Sequence, residues 1–296
     1  MGAAAREGRD KITFLASAAL ASFGDWVEQL IAESMGKEGK GILPVVGEPL
    51  APIETYGPDR LFVHLRLEGD RSHDGFATQL VMAGHPVVTI HLKDLYDIGG
   101  QFFVWEMATV IAGYILGINP FDQPNVEDAK IKARKVVAEF SEKGRLPDEP
   151  FAKLDAAMLS AFLDQAGDGD YISIQAYVQP TPEIDAAIHA LRQAIHLRTG
   201  LATTAGYGPR FLHSTGQLHK GDRANGMFDQ LFSDALNDLP IPDEAGNPTS
   251  GMTFNVLKKA QALGDAQALR DAHRRIITFN LGINVIAGIA ELASKI

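Results

Sequence analysis

The sequence predicts an α/β protein built on a doubly wound, mostly parallel sheet. Short runs of β-branched and aromatic residues alternate along the chain with longer stretches of 3.6-residue periodicity. This β-α-β rhythm is typical of a parallel sheet that helices cover on both faces. The 296 residues, 46% of them apolar, suffice for one large or two ordinary domains with a sizeable core. We therefore expect a three-layer α/β/α sandwich.

Four strands and four helices are predicted in the first part of the chain. The strands are Lys11–Ser17, Ile42–Val46, Leu61–Leu67 and Val87–His91. The helices are Ala19–Met35, Ser72–Ala83, Gly100–Leu116 and Val126–Glu142. The first helix has an apolar face suited to core packing, formed by Leu20, Phe23, Val27, Leu30 and Ile31. The third helix carries aromatic residues that we expect in the core: Phe102, Phe103, Trp105 and Tyr114.

A polar segment with two prolines, residues 142–150, is the best internal boundary. It separates a domain of residues 1–145 from a C-terminal α/β extension of residues 146–296. The strands predicted in the extension are Tyr171–Val178, Leu201–Gly206, Met227–Leu231 and Ile276–Leu281. The predicted helices are Phe151–Gln165, Thr181–Leu197, Phe254–Leu263, Ala266–His273 and a last one from Ile283. We expect irregular structure at residues 207–222 and a loop at residues 239–250.

Composition and charge exclude several classes of protein. With 37 acidic and 27 basic residues the net charge is −10, which disfavours a nucleic-acid partner. The absence of cysteine rules out disulfides and thiolate metal sites, and the nine histidines lack metal-type spacing, so we expect neither a metal nor another cofactor. The longest uncharged apolar stretch, Ile276–Ala290, is shorter than the roughly 20 residues of a membrane helix. We expect a cytoplasmic protein with no membrane partner.

The most informative segment lies where the first long helix runs into a glycine-rich turn. It reads Gln29-Leu-Ile-Ala-Glu33-Ser34-Met-Gly36-Lys37. Gln29 and Glu33 are four residues apart, so both project from the same face of the helix. A strand and a turn follow directly, in the order Gly41-Ile-Leu-Pro-Val-Val-Gly47-Glu48-Pro49.

A second informative segment follows about ninety residues later. It reads Asn119-Pro-Phe121-Asp122-Gln123-Pro-Asn-Val126-Glu127-Asp-Ala-Lys130. Together the two segments resemble the glucose-6-phosphate isomerase family, with its sugar isomerase domain, in which Q-x-x-x-E-S-x-G-K and N-x-F-D-Q-x-x-V-E-x-x-K signatures border the active site. The resemblance covers roughly residues 10–140 and implies a flavodoxin-like sandwich.

The resemblance implies interconversion of glucose 6-phosphate and fructose 6-phosphate, with Glu33 as the catalytic base. This reaction moves a proton between adjacent sugar carbons through a cis-enediol, so it requires one carboxylate that reaches both carbons and is shielded from water. The resemblance also places Gln29, Gln123 and Lys130 at the substrate, which would be a small sugar phosphate.

Ring opening needs a group that takes and returns a hydroxyl proton, a task that suits histidine and lysine. The family's histidine follows the G-E-P turn, but this chain has none there. The tail segment HSTGQLHKG supplies His213 and His219 instead, and we expect Lys130 and one of these histidines to assist catalysis. Arg210 and Lys220 are candidate ligands of the substrate phosphate.

The tail, including Gly206-Tyr-Gly-Pro-Arg210 and the HSTGQLHKG segment, resembles the C-terminal part of bifunctional transaldolase/glucose-6-phosphate isomerases. Complete isomerases of this family have a first sugar-isomerase domain that supplies the phosphate-binding loops. We therefore expect this chain to be the C-terminal portion of a larger enzyme. Its expected partners are the missing N-terminal isomerase domain and a transaldolase domain of the same polypeptide, and a homodimer is compatible with the sequence.

Other interpretations of these residues stay open. Glu33 and Lys130 are also compatible with solvated helix positions, and Gln123 with a side chain that ties down a loop. His213 and His219 are equally compatible with structural roles, and Arg210 and Lys220 with neutralisation of carboxylates. At the level of the chain, the alternatives are a non-catalytic sugar-phosphate-binding domain and an isolated, inactive half of the isomerase.

Overall fold

A computed structural model describes residues 1–147, 151–235 and 237–296, and omits the side chains of residues 126–129. The first sheet is entirely parallel, with strand order β2-β1-β3-β4. Its strands are β1 (Lys11–Ala16), β2 (Leu43–Val45), β3 (Arg60–Leu67) and β4 (Val87–Leu92). The accompanying helices are α1 (Gly2–Arg6), α2 (Ala21–Met35), α3 (Asp74–Met82) and α4 (Ile98–Leu116). The order 2-1-3-4 is that of a doubly wound sheet.

Helix α5 (Val126–Lys143) follows, and the second half of the chain then builds a second parallel sheet. The strands of this half are β5 (Tyr171–Tyr177), β6 (Ala202–Tyr207), β7 (Gly226–Phe232), β8 (Pro240–Ile241), β9 (Met252–Thr253) and β10 (Arg275–Asn280). Its helices are α6 (Ala156–Leu163), α7 (Pro182–Thr199), α8 (Gly216–Gly221), α9 (Phe254–Asp271) and α10 (Val285–Ala293). Strands β8 and β9 form a separate antiparallel pair, and the main sheet has the order β6-β5-β7-β10.

The two sheets therefore have the same topology, since β6-β5-β7-β10 is again the order 2-1-3-4 within its half. Helices cover both faces of each sheet, because alternate strand residues point to opposite sides and apolar residues occur on both. In the first sheet Ile12 and Phe14 pack towards α2 and α4, whereas Leu15 and Phe62 pack towards α3. The predicted α/β fold with doubly wound parallel sheets is confirmed. The domain boundary at residue 145 stays a prediction.

Local chemistry explains where the helices begin and end. The side chain of Thr181 accepts a hydrogen bond from the Ile184 N–H and so caps α7, and Pro182 occupies the first turn, where no N–H is needed. The helix ends at Gly200, whose φ of 70° lies in the left-handed region. Thr253 caps α9 in the same way through the Val256 N–H.

The two helices predicted over residues 254–273 are one continuous helix, α9, so that prediction is wrong. Gly264 lies in the gap between the two predicted helices, and a Cβ at this position would lie 2.6 Å from the backbone nitrogen of Ala133 on α5. The glycine allows α5 and α9 to approach closely rather than ending the helix. Two short elements also replace predicted irregular structure: α8 within residues 207–222, and the strand β8 within residues 239–250.

The expectation that the aromatic residues of α4 belong to the core is wrong for three of the four. Trp105 is buried against Phe14, but Phe102 is 38% exposed, Phe103 64% and Tyr114 86%. Helix α4 is apolar all round, so its sequence could not show which side faces the sheet. Among the described residues, the stretch Leu95–Leu116 has the length and apolar composition of a membrane-crossing helix, criteria that soluble core helices also meet.

Candidate active site

The first signature segment and the second meet at the end of α2. Gln123 donates a hydrogen bond through Nε2 to Oε2 of Glu33 over 3.3 Å, although ninety residues separate them in sequence. Burial raises the pKa of Glu33 above its ordinary value, and side-chain hydrogen bonds with Gln29 and Gln123 act in the opposite direction. The structure therefore brings together three predicted site residues around one partly buried carboxylate.

Lys37 fixes the loop that carries Gln123. Its side chain is only 3% exposed, and Nζ donates to the backbone oxygen of Asn119 over 2.6 Å. Nζ also forms an ion pair with Oδ1 of Asp122 at 2.9 Å. The Asn119 side chain in turn accepts the Phe121 N–H at 3.0 Å. Because Lys37 directly follows α2, this contact sets the position of the loop relative to Glu33.

The short helix α8 locks the same region from the other side. Gln217 donates through Nε2 to the backbone oxygen of Gly36 (2.6 Å) and to Oδ1 of Asn125 (2.8 Å), and its Oε1 accepts the Asn125 N–H. The approach requires glycine, since a Cβ on Gly36 would lie 2.2 Å from Cα of Leu218. A Cβ on Gly221 would likewise lie 2.1 Å from the Gly36 oxygen. Helix α8 of the tail thus packs against the end of α2 and the loop that carries Gln123.

A cavity of about 500 Å³ lies beside these segments, between α5, α8 and α9. Three predicted site residues line it: Lys130, His213 and Lys220. His213 and Lys130 are exposed, so both are accessible to a ligand. Lys220 is buried, and its Nζ forms an ion pair with Oδ1 of Asp265 at 2.6 Å. Lys220 therefore neutralises a carboxylate, which is one of the alternatives given for it above.

The other two predicted residues lie elsewhere. His219 is fully buried, with its Nδ1 3.4 Å from Nε2 of Gln175 and its ring against Phe228. Burial, with Lys220 and Arg274 nearby, lowers the pKa of His219 well below its ordinary value and keeps the ring neutral. Arg210 lines a different cavity, bordered by α2 and α7. Their catalytic and phosphate-binding roles stay predictions.

The G-E-P turn joins the two sheets. Oε1 of Glu48 accepts the backbone N–H of Thr203 at 2.7 Å, and Oε2 accepts NH1 of Arg60 at 2.9 Å. Arg192 of α7 donates to the backbone oxygens of Val46 (2.9 Å) and Gly47 (2.8 Å). Burial alone would raise the pKa of Glu48, but the charges of Arg60 and Arg192 outweigh it and lower the pKa. The turn is therefore an electrostatic clamp between the two halves.

Sequence reasoning missed Lys37, Gln217 and Asn125 as the residues that hold the site together. The signals were present, because all three belong to segments singled out for other residues. Their partners are distant in sequence and mostly backbone atoms, which a motif does not display. Among the described residues, no group of three or more histidine or acidic side chains is placed to hold a metal ion.

The curated proteins that resemble this chain carry the name of the family that the motifs resemble. No protein-family model matches the chain. A protein named glucose-6-phosphate isomerase from Lactobacillus helveticus is 30% identical over 149 residues, which are 38% of this chain and 33% of that protein. A protein of the same name from Symbiobacterium thermophilum is 32% identical over 149 residues, with the same two shares. A third, from Heliobacterium modesticaldum, is 27% identical over 164 residues, 42% of this chain and 37% of that protein. The chain thus spans about a third of the length of the curated relatives it matches.

Similarity to solved structures is low. The match to a hypothetical protein from Thermus thermophilus covers 99% of this chain and 80% of that protein's chain, at 13% identity and a TM-score of 0.36. The match to the C-terminal domain of glucosamine-fructose-6-phosphate aminotransferase from Francisella tularensis covers 97% of this chain and 84% of that chain, at 9% identity and a TM-score of 0.29. The fold therefore rests on the strands and helices described above.

Proposed function

We propose that this chain carries the proton-transfer site of an aldose–ketose isomerase that interconverts glucose 6-phosphate and fructose 6-phosphate. The observation that carries the proposal is the contact of Glu33 with Gln123, which joins the two signature segments at one carboxylate. The curated relatives named glucose-6-phosphate isomerase support the substrate class. A location in the cytoplasm is part of the same proposal.

Glu33 is the base in this proposal. The carboxylate removes a proton from one of the two adjacent carbons of the open-chain sugar and returns it to the other, through a cis-enediol. Burial raises the pKa of Glu33, which brings a carboxylate closer to the operating pH and improves proton transfer in both directions. Gln29 and Gln123 hold the carboxylate in place by their hydrogen bonds.

We assign ring opening to His213, with Lys130 beside it. Both side chains line the cavity next to the Glu33 region and are exposed. His219 is the weaker candidate, because its ring is fully buried and its lowered pKa disfavours the charged form that an acid needs. This choice rests on accessibility, which is the property that the sequence could not supply for two histidines six residues apart.

The complete enzyme requires more than this chain in our proposal. The curated relatives are about three times as long as their aligned part, and the phosphate-binding loops would come from a further isomerase domain. The exposed apolar side of α4, with Phe103, Ile111 and Tyr114, supports such a partner, since large apolar patches mark contact surfaces. A fused transaldolase domain and a homodimer belong to the same proposal.

A coupled assay from fructose 6-phosphate to glucose 6-phosphate tests the proposal. Loss of the base in Glu33→Gln should lower kcat by about 10²–10⁴-fold, whereas Glu54→Gln, which changes an exposed carboxylate outside the site, should leave it unchanged. Turnover that survives Glu33→Gln would refute Glu33 as the base. A folded wild-type chain with no turnover would instead favour the inactive-half alternative, and sugar-phosphate binding without turnover would favour the non-catalytic binding domain.

A further inference from the structure

A second cavity lies where the two sheets meet. It has a volume of about 240 Å³ and is bordered by Val46 after β2, Ala176 in β5 and Ala205 in β6. We call it the seam cavity. The carboxyl ends of parallel strands are where open α/β sheets bind ligands, and junctions between two units are a further preferred location. The seam cavity has both properties, because β2 and β6 are adjacent edge strands of sheets with the same topology.

Three charged residues that line the seam cavity lack an ion-pair partner in the described part of the chain: Glu28 and the exposed Asp25 and Arg210. Glu28 of α2 and Arg210, on the turn after β6, both line it. Neither side chain forms a hydrogen bond, or an ion pair within 4.0 Å, with any residue in the described part of the chain. Each nevertheless lies within electrostatic range of the other. The two charges therefore face the same space from different elements and are too far apart to pair.

Two other charged groups that line the cavity already have partners. Arg192 donates to the backbone oxygens of Val46, Gly47 and Thr203, so its guanidinium is committed to the junction of the sheets. Asp185 accepts a hydrogen bond from the hydroxyl of Tyr207. Glu28 and Arg210, together with the exposed Asp25 on the same helix as Glu28, are thus the charged groups of this wall that remain for a ligand.

Glu28 is a partly buried acid that has no cation within ion-pair distance in the described part of the chain. Burial raises the pKa of Glu28 to about 7, while the charges of Arg192 and Arg210 act to lower this pKa and the charge of Asp25 acts to raise it. The other titratable groups that line the cavity are Asp25 on α2, Asp185, His189 and Arg192 on α7, and Tyr207 on β6. Burial lowers the pKa of His189, so its ring stays neutral and supplies no cation at neutral pH.

We propose that the seam cavity binds a small zwitterion of the amino-acid class, with its ammonium group on Glu28 and its carboxylate on Arg210. One ligand with both charges supplies the counter-ion of each side chain. A pure anion would leave Glu28 without a cation, and a pure cation would leave Arg210 without an anion. The volume corresponds to about eight waters at about 30 Å³ each, which is enough space for a small amino acid.

Binding of ω-amino acids to the chain tests this site by calorimetry. Glycine, 3-aminopropionate and 4-aminobutyrate differ only in the distance between their charges, whereas butyrate and butylamine each lack one charge. We expect one of the three zwitterions to bind at least tenfold more tightly than butyrate and butylamine. We also expect binding at pH 7 to release protons, because an ammonium group lowers the pKa of Glu28. Because the buffer takes up the released proton, the measured binding enthalpy should depend on the buffer's ionisation enthalpy.

Matched variants locate the site. Glu28→Gln and Arg210→Gln should each weaken binding at least tenfold, and Glu28→Gln should abolish the proton release. Glu54→Gln and Arg71→Gln, at exposed positions away from the cavity, should change neither. The proposal would be refuted if none of the zwitterions binds saturably or if butyrate binds as tightly as they do. It would also be refuted if zwitterion binding survives both cavity variants. Because the readout is binding, these outcomes do not depend on isomerase activity.

Discussion

A buried carboxylate in the second sheet offers the sharpest quantitative test of the fold. Asp229 lies in the centre of β7, opposite Ile174 of β5 and Ile277 of β10. It is fully buried, and neither carboxylate oxygen has a hydrogen-bond partner in the described part of the chain. Burial raises the pKa of Asp229 from 3.8 to about 7. The native state therefore holds a proton that the unfolded chain releases at lower pH.

The size of the effect of Asp229 on the free energy of unfolding follows from this shift in pKa. At 1.36 kcal/mol per unit, a pKa raised from 3.8 to about 7 corresponds to about 4 kcal/mol. Because the native pKa is the higher one, the free energy of unfolding falls as the pH rises from 3.8 to about 7, and Asp229 has no further effect above that range. Asp229→Asn keeps the shape of the side chain and removes the titration. Relative to the wild type, the variant should gain about 3 kcal/mol of stability between pH 4.5 and pH 8.

Urea denaturation at pH 4.5, 6 and 8, followed by far-ultraviolet circular dichroism, measures this difference. The comparison with wild type cancels the titration of all other groups. Asp168→Asn, at an exposed position, should show no pH-dependent difference from wild type. A constant difference between Asp229→Asn and wild type across the three pH values would refute the reasoning, since it would mean that Asp229 is ionised in the native state.

The remaining predictions concern the site region and the clamp between the sheets. Gly36→Ala should destabilise the chain by about 1–3 kcal/mol and lower any isomerase activity, because its Cβ would meet Leu218, whereas Gly75→Ala, which faces open space, should leave urea denaturation unchanged within error. Glu48→Gln should cost about 3–5 kcal/mol at pH 7 because it leaves buried Arg60 without its ion-pair partner and removes the negative charge near buried Arg192. Since the pKa of Glu48 is lowered in the folded chain, the stability it supplies should disappear as the pH falls below about 4.5; a titration that shows the same acid loss in Glu48→Gln as in wild type would contradict this.

Much of the site could be anticipated from the sequence because its chemistry is local. The four-residue spacing of Gln29 and Glu33 puts them on one helical face, and the structure keeps that arrangement with Gln123 added. The choice between His213 and His219 could not be made in this way. Burial of a ring depends on which strands lie over it, and His219 is covered by residues of β5 and β7.

Alternation of apolar runs with periodic stretches by itself determined the class of fold, because strands buried on both faces are rich in apolar residues and the helices that cover them are periodic. It also determined the eight main strands to within one or two residues. Only the tertiary structure decided that α8 closes on Gly36, that Gly264 joins α5 to α9, and that Glu28 and Arg210 share a cavity. These contacts join segments that are far apart in the sequence, and their energies depend on distances of a few ångströms that no local pattern encodes.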